Sequence, residues 1–247
     1  MESELPADIP YEILQGGGFV GPGFTAVFFF EGIFWRVVIP LIYGQIRVDT
    51  LAALRIMPAE TKKRLCSLPS VVREYLLFWG DCHDYHTGLE EAHHLVAARS
   101  FAAEMIESTG REISSAIADL SQPRPNSKAM HTSRDAVEKA LKAYLAHHAN
   151  LTGERAKKDF SHKLDKLLQE IGRIAPESPL ARLSHEISAF ASYDARYSLA
   201  NYSRPELWRV YRLAQFTAAE VMRSISGRNQ REVMQSHPVF ANAKESV

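Results

Sequence analysis

Residues Phe24 to Gly44 read FTAVFFFEGIFWRVVIPLIYG, and the fold turns on whether this apolar run crosses a membrane or pairs with itself. About 20 apolar residues are enough for a transmembrane helix. Against a span, Glu31 and Arg36 would each cost roughly 2.5–3.5 kcal/mol at the bilayer centre, and Gly32 and Pro40 interrupt any single helix. The run is dense in Phe, Val and Ile, which favour strands. It therefore reads as a hairpin, with strands Thr25–Phe30 and Ile33–Ile39, a tight turn at Glu31-Gly32, and Pro40 closing the second strand. A third short strand near Leu41–Val48 would complete a β-meander. Apolar residues on both faces require the rest of the chain to cover it.

Before this run, Gly16-Gly-Gly18 and Gly21-Pro-Gly23 lack the strand-to-helix context of a dinucleotide fingerprint and read as loop. The opening MESELPADIPYEIL has no basic segment ahead of an apolar one, so no secretory signal is expected. After the run the pattern turns helical. Thr50–Met57 and the segment from Pro58 begin it, and a helix after Pro69 carries Leu76, Leu77 and Trp79 before the polar string Asp81-Cys-His-Asp-Tyr-His-Thr-Gly88. A long helix is expected from Leu89 to about Leu120, with Gly110 as a break. Gln122-Pro-Arg-Pro-Asn-Ser127 forms a loop, and Thr132 with Asp135 suggests a helix start. That helix carries Ala136, Val137, Ala140, Leu141, Tyr144 and Leu145 on one face and ends by Gly153. His162–Ile171 turns Leu164, Leu167, Leu168 and Ile171 inward. Helices follow from Leu180 to about Arg196 and from Pro205 to Gly227, where glycine stops the last. The tail beyond is polar and expected to be mobile.

The 247 residues hold 29 Lys+Arg against 29 Asp+Glu, with 46% hydrophobic residues. Such a chain buries a core, and its neutral balance argues against a nucleic-acid coat. Charge is uneven, however. Residues 1–49 hold six acids and two bases, and residues 190–247 hold eight bases and five acids. Cys66 and Cys82 form no paired motif and read as reduced thiols of a cytoplasmic protein. No nucleophile elbow and no phosphate loop is present.

Three segments of the C-terminal half carry a family resemblance. Ala136-Val-Glu-Lys-Ala-Leu-Lys-Ala-Tyr-Leu145 is similar to a helix that often reads AEKALKAYL in the HEPN family, the higher-eukaryote and prokaryote nucleotide-binding domains. His162-Lys-Leu-Asp-Lys-Leu-Leu168 resembles its HDLEKLL segment, and Tyr193-Asp-Ala-Arg-Tyr197 resembles the element before its final helix. The resemblance covers about Glu90 to Gly227. It implies a helical bundle that forms a homodimer and binds a nucleotide, RNA or a cognate protein partner, in a toxin–antitoxin or defence setting. Ribonuclease members place His four to six residues after Arg. Here Arg196 is followed by Asn201, and Asn does not titrate near neutral pH, so a non-cleaving member is expected. Arg231 and His237 have the nominal spacing but lie in the tail.

The fold expected is therefore mainly α (α+β): a β-rich segment over 1–48, a helical connector over 49–89, a HEPN-like bundle over 90–227 and a polar tail over 228–247, with no membrane span. Phosphate is expected to meet Arg196, Asn201, Arg204, Arg209 and Arg212, because guanidinium groups suit bidentate phosphate contacts. The bland alternative is that these arginines only cover a solvated helix. A different reading is a metal-dependent enzyme in which His83, His86, Glu90 and His93 hold a divalent metal, since Glu-x-x-His is the i, i+3 pairing of di-metal bundles. The competing role of these residues is to cap a helix junction and face water. An active ribonuclease is the remaining alternative. His147-His148 reads as a helix cap, and Trp208 as a core or dimer anchor.

Overall fold

A computed structural model describes residues 11–191 and 201–241. The protein is mainly α with a small β element, and it divides into two compact units. One comprises the chain up to Thr87 together with the segment from Asn229, and the other is Gly88–Arg228.

In the first unit, β1 (Tyr11–Phe30) and β2 (Ile33–Val48) form one antiparallel pair. The turn falls at Glu31-Gly32 as the sequence indicates, with both residues at positive φ (49° and 76°), the geometry that matches strand twist in a two-residue hairpin loop. The Arg64 guanidinium grips the Glu31 carboxylate at 2.7 and 2.6 Å and lowers its pKa, chiefly by hydrogen bonding. The strands run well beyond the expected hairpin. Residues 41–48, expected as a third strand, continue β2 past Pro40 and pair with the early part of β1. Pro40 does not close the strand because it sits where the register shifts between Gly21 and Phe24, and a bulge tolerates a residue without an N–H. A second shift falls between Ile13 and Gly18. Opposite it, Gly44 has φ 88°, and a Cβ there would stand 2.5 Å from the Gly17 carbonyl oxygen. Only glycine fits.

Residues 50–57 form turns rather than the expected helix. The Asp49 carboxylate accepts from the amides of Leu51 and Ala52, and the Ala53 carbonyl accepts from the Val38 amide at 3.1 Å. This short bridge covers part of the outer edge of β2. Helices α1 (Ala59–Cys66) and α2 (Pro69–Leu95) follow. The hairpin lays Phe28 against Tyr75 and Phe78, with ring centroids 5.0 and 5.8 Å apart, and Phe24 against Tyr85 at 6.0 Å. Ala26, Val37, Ile39, Leu54 and Trp79 are buried in the same core. The division between the units falls inside α2, after Thr87.

Two corrections concern α2 and the tail. The string Asp81–Gly88 is not a solvated junction but part of an unbroken helix, and Asp81, Cys82, His83, Asp84, Tyr85 and Thr87 are all buried. The tail supplies the reason. Residues Gln230–Gln235 and Pro238–Ala241 are short helices, α8 and α9. Asp81 pairs with the Arg231 guanidinium, and Asp84 accepts from the amides of Gln230 and Arg231 at 2.6 and 3.1 Å. Arg73 donates to the Val239 carbonyl at 3.2 Å. Described tail residues are therefore part of the first unit. Burial, with Asp81 nearby, pushes the Cys82 thiol well above its ordinary pKa, leaving it unreactive.

The second unit is helical. The break expected at Gly110 instead lies at Ala97–Ser100, where Arg99 takes φ 59° and Ser100 caps α3 (Phe101–Leu120) by accepting from the Ala103 amide. Helix α4 (Lys128–Ala149) starts before Thr132, whose buried hydroxyl bonds back to the Lys128 and Ala129 carbonyls, and Asn150 in the left-handed region ends it ahead of Gly153. The one-turn helix α5 (Gly153–Arg155) leads into a π-helical turn, Ala156–Phe160. Helix α6 (Leu164–Ile174) buries Leu164, Leu167, Leu168 and Ile171 as its pattern indicates. A 3-10 helix, Pro179–Ala189, precedes α7 (Arg204–Ser226). Helix α7 opens with a capping box between Ser203 and Glu206 and stops at Gly227, φ 73°. Helix α4 packs against α3, α6 and α7, and α7 buries Leu207, Trp208, Val210, Tyr211, Ala214 and Ala218.

Candidate phosphate-binding face of the helical unit

The sequence places five polar residues around the start of α7. Arg196 lies outside the described residues, as does the Tyr193–Tyr197 segment. Asn201 is exposed just ahead of α7. Arg204 is exposed and donates to the Pro123 carbonyl at 3.2 Å, which ties the helix start to the loop before α4. Arg209 and Arg212 are exposed on α7, three residues apart and so neighbours on the helix surface. Arg209 lies 3.7 Å from Glu186, with both side chains more than half exposed, a loose pair of small energetic value. Glu206 is held by Ser203 of the capping box, whose hydroxyl and amide hydrogen bonds lower its pKa. Its charge is therefore directed to the helix start.

The two described segments that carry the family resemblance meet at a buried carboxylate. Glu138 of α4 accepts from Lys142 at 2.7 Å, approaches Arg134 at 3.4 Å and contacts His162 Nδ1 at 3.1 Å through both oxygens. Arg134 also donates to the His162 carbonyl at 2.6 Å. Arg134, Glu138 and Lys142 are spaced four apart, so they form one stripe of α4. A buried carboxylate needs such partners. The node joins α4 to the chain entering α6, and sequence reasoning did not identify it as a unit.

The expected metal ligands are not assembled. Among the described residues, no group of three or more His, Cys, Asp and Glu side chains is arranged to hold a metal ion. His83 is buried and stacks on Trp79 at 5.4 Å, His86 stacks on Phe24 at 5.4 Å, and Glu90 and His93 are exposed. The physical reason is reach. All four lie on α2, and ten residues of helix span about 15 Å, too far for one ion. Arg231 and His237 lie in the first unit, where the Arg231 guanidinium pairs with Asp81 and His237 Nδ1 accepts from the Val239 amide at 3.2 Å. His148 at the end of α4 bonds the Ser224 hydroxyl of α7 at 3.1 Å and packs on Tyr144. It therefore joins two helices besides standing at a helix end.

No family model, no curated protein and no solved structure matches this chain.

Proposed function

We propose that the helical unit is a HEPN-like module that binds RNA or a nucleotide phosphate without cutting it. The observation that carries this reading is the exposure of three arginines on α7, of which Arg209 and Arg212 are surface neighbours. Arg204, Arg209 and Arg212 follow Asn201 on a helix packed against α4, the helix with the longest resemblance segment. Supporting it, the resembling segments at Glu138 and His162 are in direct contact. Asn201, where the ribonuclease motif has a histidine, offers hydrogen bonds but no proton transfer near neutral pH. The proposal includes a homodimer, a cytoplasmic setting and a cognate protein partner of the toxin–antitoxin or defence kind.

The test is binding of labelled single-stranded RNA and mononucleotides to the full chain across a salt series, with strand cleavage read in the same samples. Replacing Arg209 and Arg212 with alanine should weaken RNA binding and reduce the steepness of its salt dependence by about one unit per arginine. RNA affinity and salt slope unchanged in that double variant would overturn the assignment of this face. Cleavage lost in Arg196→Ala would restore the ribonuclease alternative.

A further inference from the structure

The helical unit also contains a cleft that none of the α7 arginines lines. Phe101, Met105, Lys142, Gly153, Ala156, Lys157, Ser161 and His162 line a cleft of about 260 Å³. That is just below the usual ~300–1,000 Å³ of drug-sized ligand pockets, so it suits a single small molecule. Its walls differ in chemistry. Phe101, Met105 and Ala156 are apolar, while Lys142, Lys157, Ser161 and His162 bring two ammonium groups, a hydroxyl and an imidazole.

The charge balance favours an anion. Arg134 and Lys142 flank Glu138 and Lys157 lines the cleft with Lys142, so these three cations outnumber the one carboxylate they include by two. Lys142 is committed to Glu138, whereas Lys157 is exposed and has no ion-pair partner among the described residues. Asp159, two residues on, pairs loosely with the exposed Arg155 at 3.6 Å, and these two charges cancel in the balance. The backbone of the rim is unusual twice over. Lys157 lies on a π-helical turn, and Ser161 follows it at φ 48°, ψ −118°, a conformation that non-glycine residues rarely adopt. Both features recur at functional sites.

We infer that this cleft binds a small phosphate monoester with a flat apolar substituent. The phosphate, near −2 at neutral pH with three acceptor oxygens, meets Lys157, Ser161 and His162, and the substituent lies against Phe101 and Met105. A carboxylate brings half the charge and one oxygen fewer. Glu138 holds the imidazole from behind through Nδ1.

The experiment is a titration of the full chain with phenyl phosphate, inorganic phosphate and benzoate, followed by calorimetry and by amide chemical shifts. Phenyl phosphate should bind about tenfold tighter than either fragment, with the largest shifts at residues 153–162. The exposed substitution Lys157→Glu should weaken it by about tenfold or more while leaving the unfolding midpoint unchanged, and Met105→Ser should reduce only the advantage of phenyl phosphate over inorganic phosphate. Equal affinity in the wild type and Lys157→Glu, or shifts mapping outside the cleft, would overturn the inference. The Arg209/Arg212 double variant should bind phenyl phosphate like the wild type, so failure of the RNA reading and failure of this one are separately visible.

Discussion

The two units bury charge in opposite ways. In the helical unit, the carboxylate of Glu138 is answered by Arg134 and Lys142 one turn away on the same helix and by His162, 24 residues on. In the hairpin unit, Asp81 and Asp84 are answered by Arg231 and the first amides of α8, about 150 residues later. Chemically the solutions are alike, since each leaves no bare charge in the interior. They differ in how far along the chain the partner lies. A local solution leaves a spacing pattern in the sequence, and a remote one leaves only polar residues where apolar ones are expected.

The sharpest way to break this comparison is to remove one partner from each unit. Glu138→Ala strands the buried Arg134 and the half-buried Lys142 and should cost about 3 kcal/mol, read by urea unfolding, with hydrogen-exchange protection lost in α4 and α6 and retained in the hairpin. Arg231→Ala removes the guanidinium paired with the nearly inaccessible Asp81 carboxylate and should cost about 3 kcal/mol, with protection lost in the first half of α2. If Arg231→Ala leaves that protection intact, the tail is not a structural part of the first unit.

A smaller effect has the opposite sign. Ser161→Gly relieves a positive-φ residue and should stabilise the protein by about 1 kcal/mol or more, while removing a hydroxyl from the cleft rim and weakening phenyl phosphate binding. Loss of both stability and binding would show that the Ser161 hydroxyl carries more than the strain costs.

The smallest effect is one of pH. Burial, then the neighbouring His147, lowers the His148 pKa below its ordinary value. The unfolded chain therefore takes up a proton first as pH falls. The stability contributed by His148 is complete above its ordinary pKa of about 6.5 and is lost as pH falls through the lower folded value. His148→Gln should flatten the stability profile in that window. An equally steep decline in the variant would assign it to another group.

The same contrast explains what the sequence made legible. The Glu31-Gly32 turn, the inward leucines of α6, and the Pro205 start and Gly227 stop of α7 depend on residues within a turn or two of one another, and each can be read from spacing. Pro40 misled because a proline ends a strand unless a bulge receives it, and the bulge is set by Gly21–Phe24 on the other strand. The string Asp81–Gly88 reads as solvated because Arg231 and the α8 amides, which meet its two aspartates, lie about 150 residues away in the chain. Arg204, Arg209 and Arg212 are exposed, and the three-residue spacing of Arg209 and Arg212 makes those two neighbours on α7. The cleft is not legible in the sequence: His162 stands in a segment quoted only for its family resemblance, and Lys157 and Ser161 join it in the lining through a π-helical turn, which the 3.6-residue period does not encode.

The first unit is assembled from two separated stretches of chain, with Gly88–Arg228 between them, so the helical unit is topologically an insertion. A ribosome delivers α8 and α9 only after the whole insertion has been made, a delay on the order of ten seconds at cellular elongation rates. Throughout that interval the acidic face of α2 stands without Arg231. Nascent chains halted before Asn229 should thus present a folded helical unit joined to a hairpin that protease still cuts, and release of the last residues should close it.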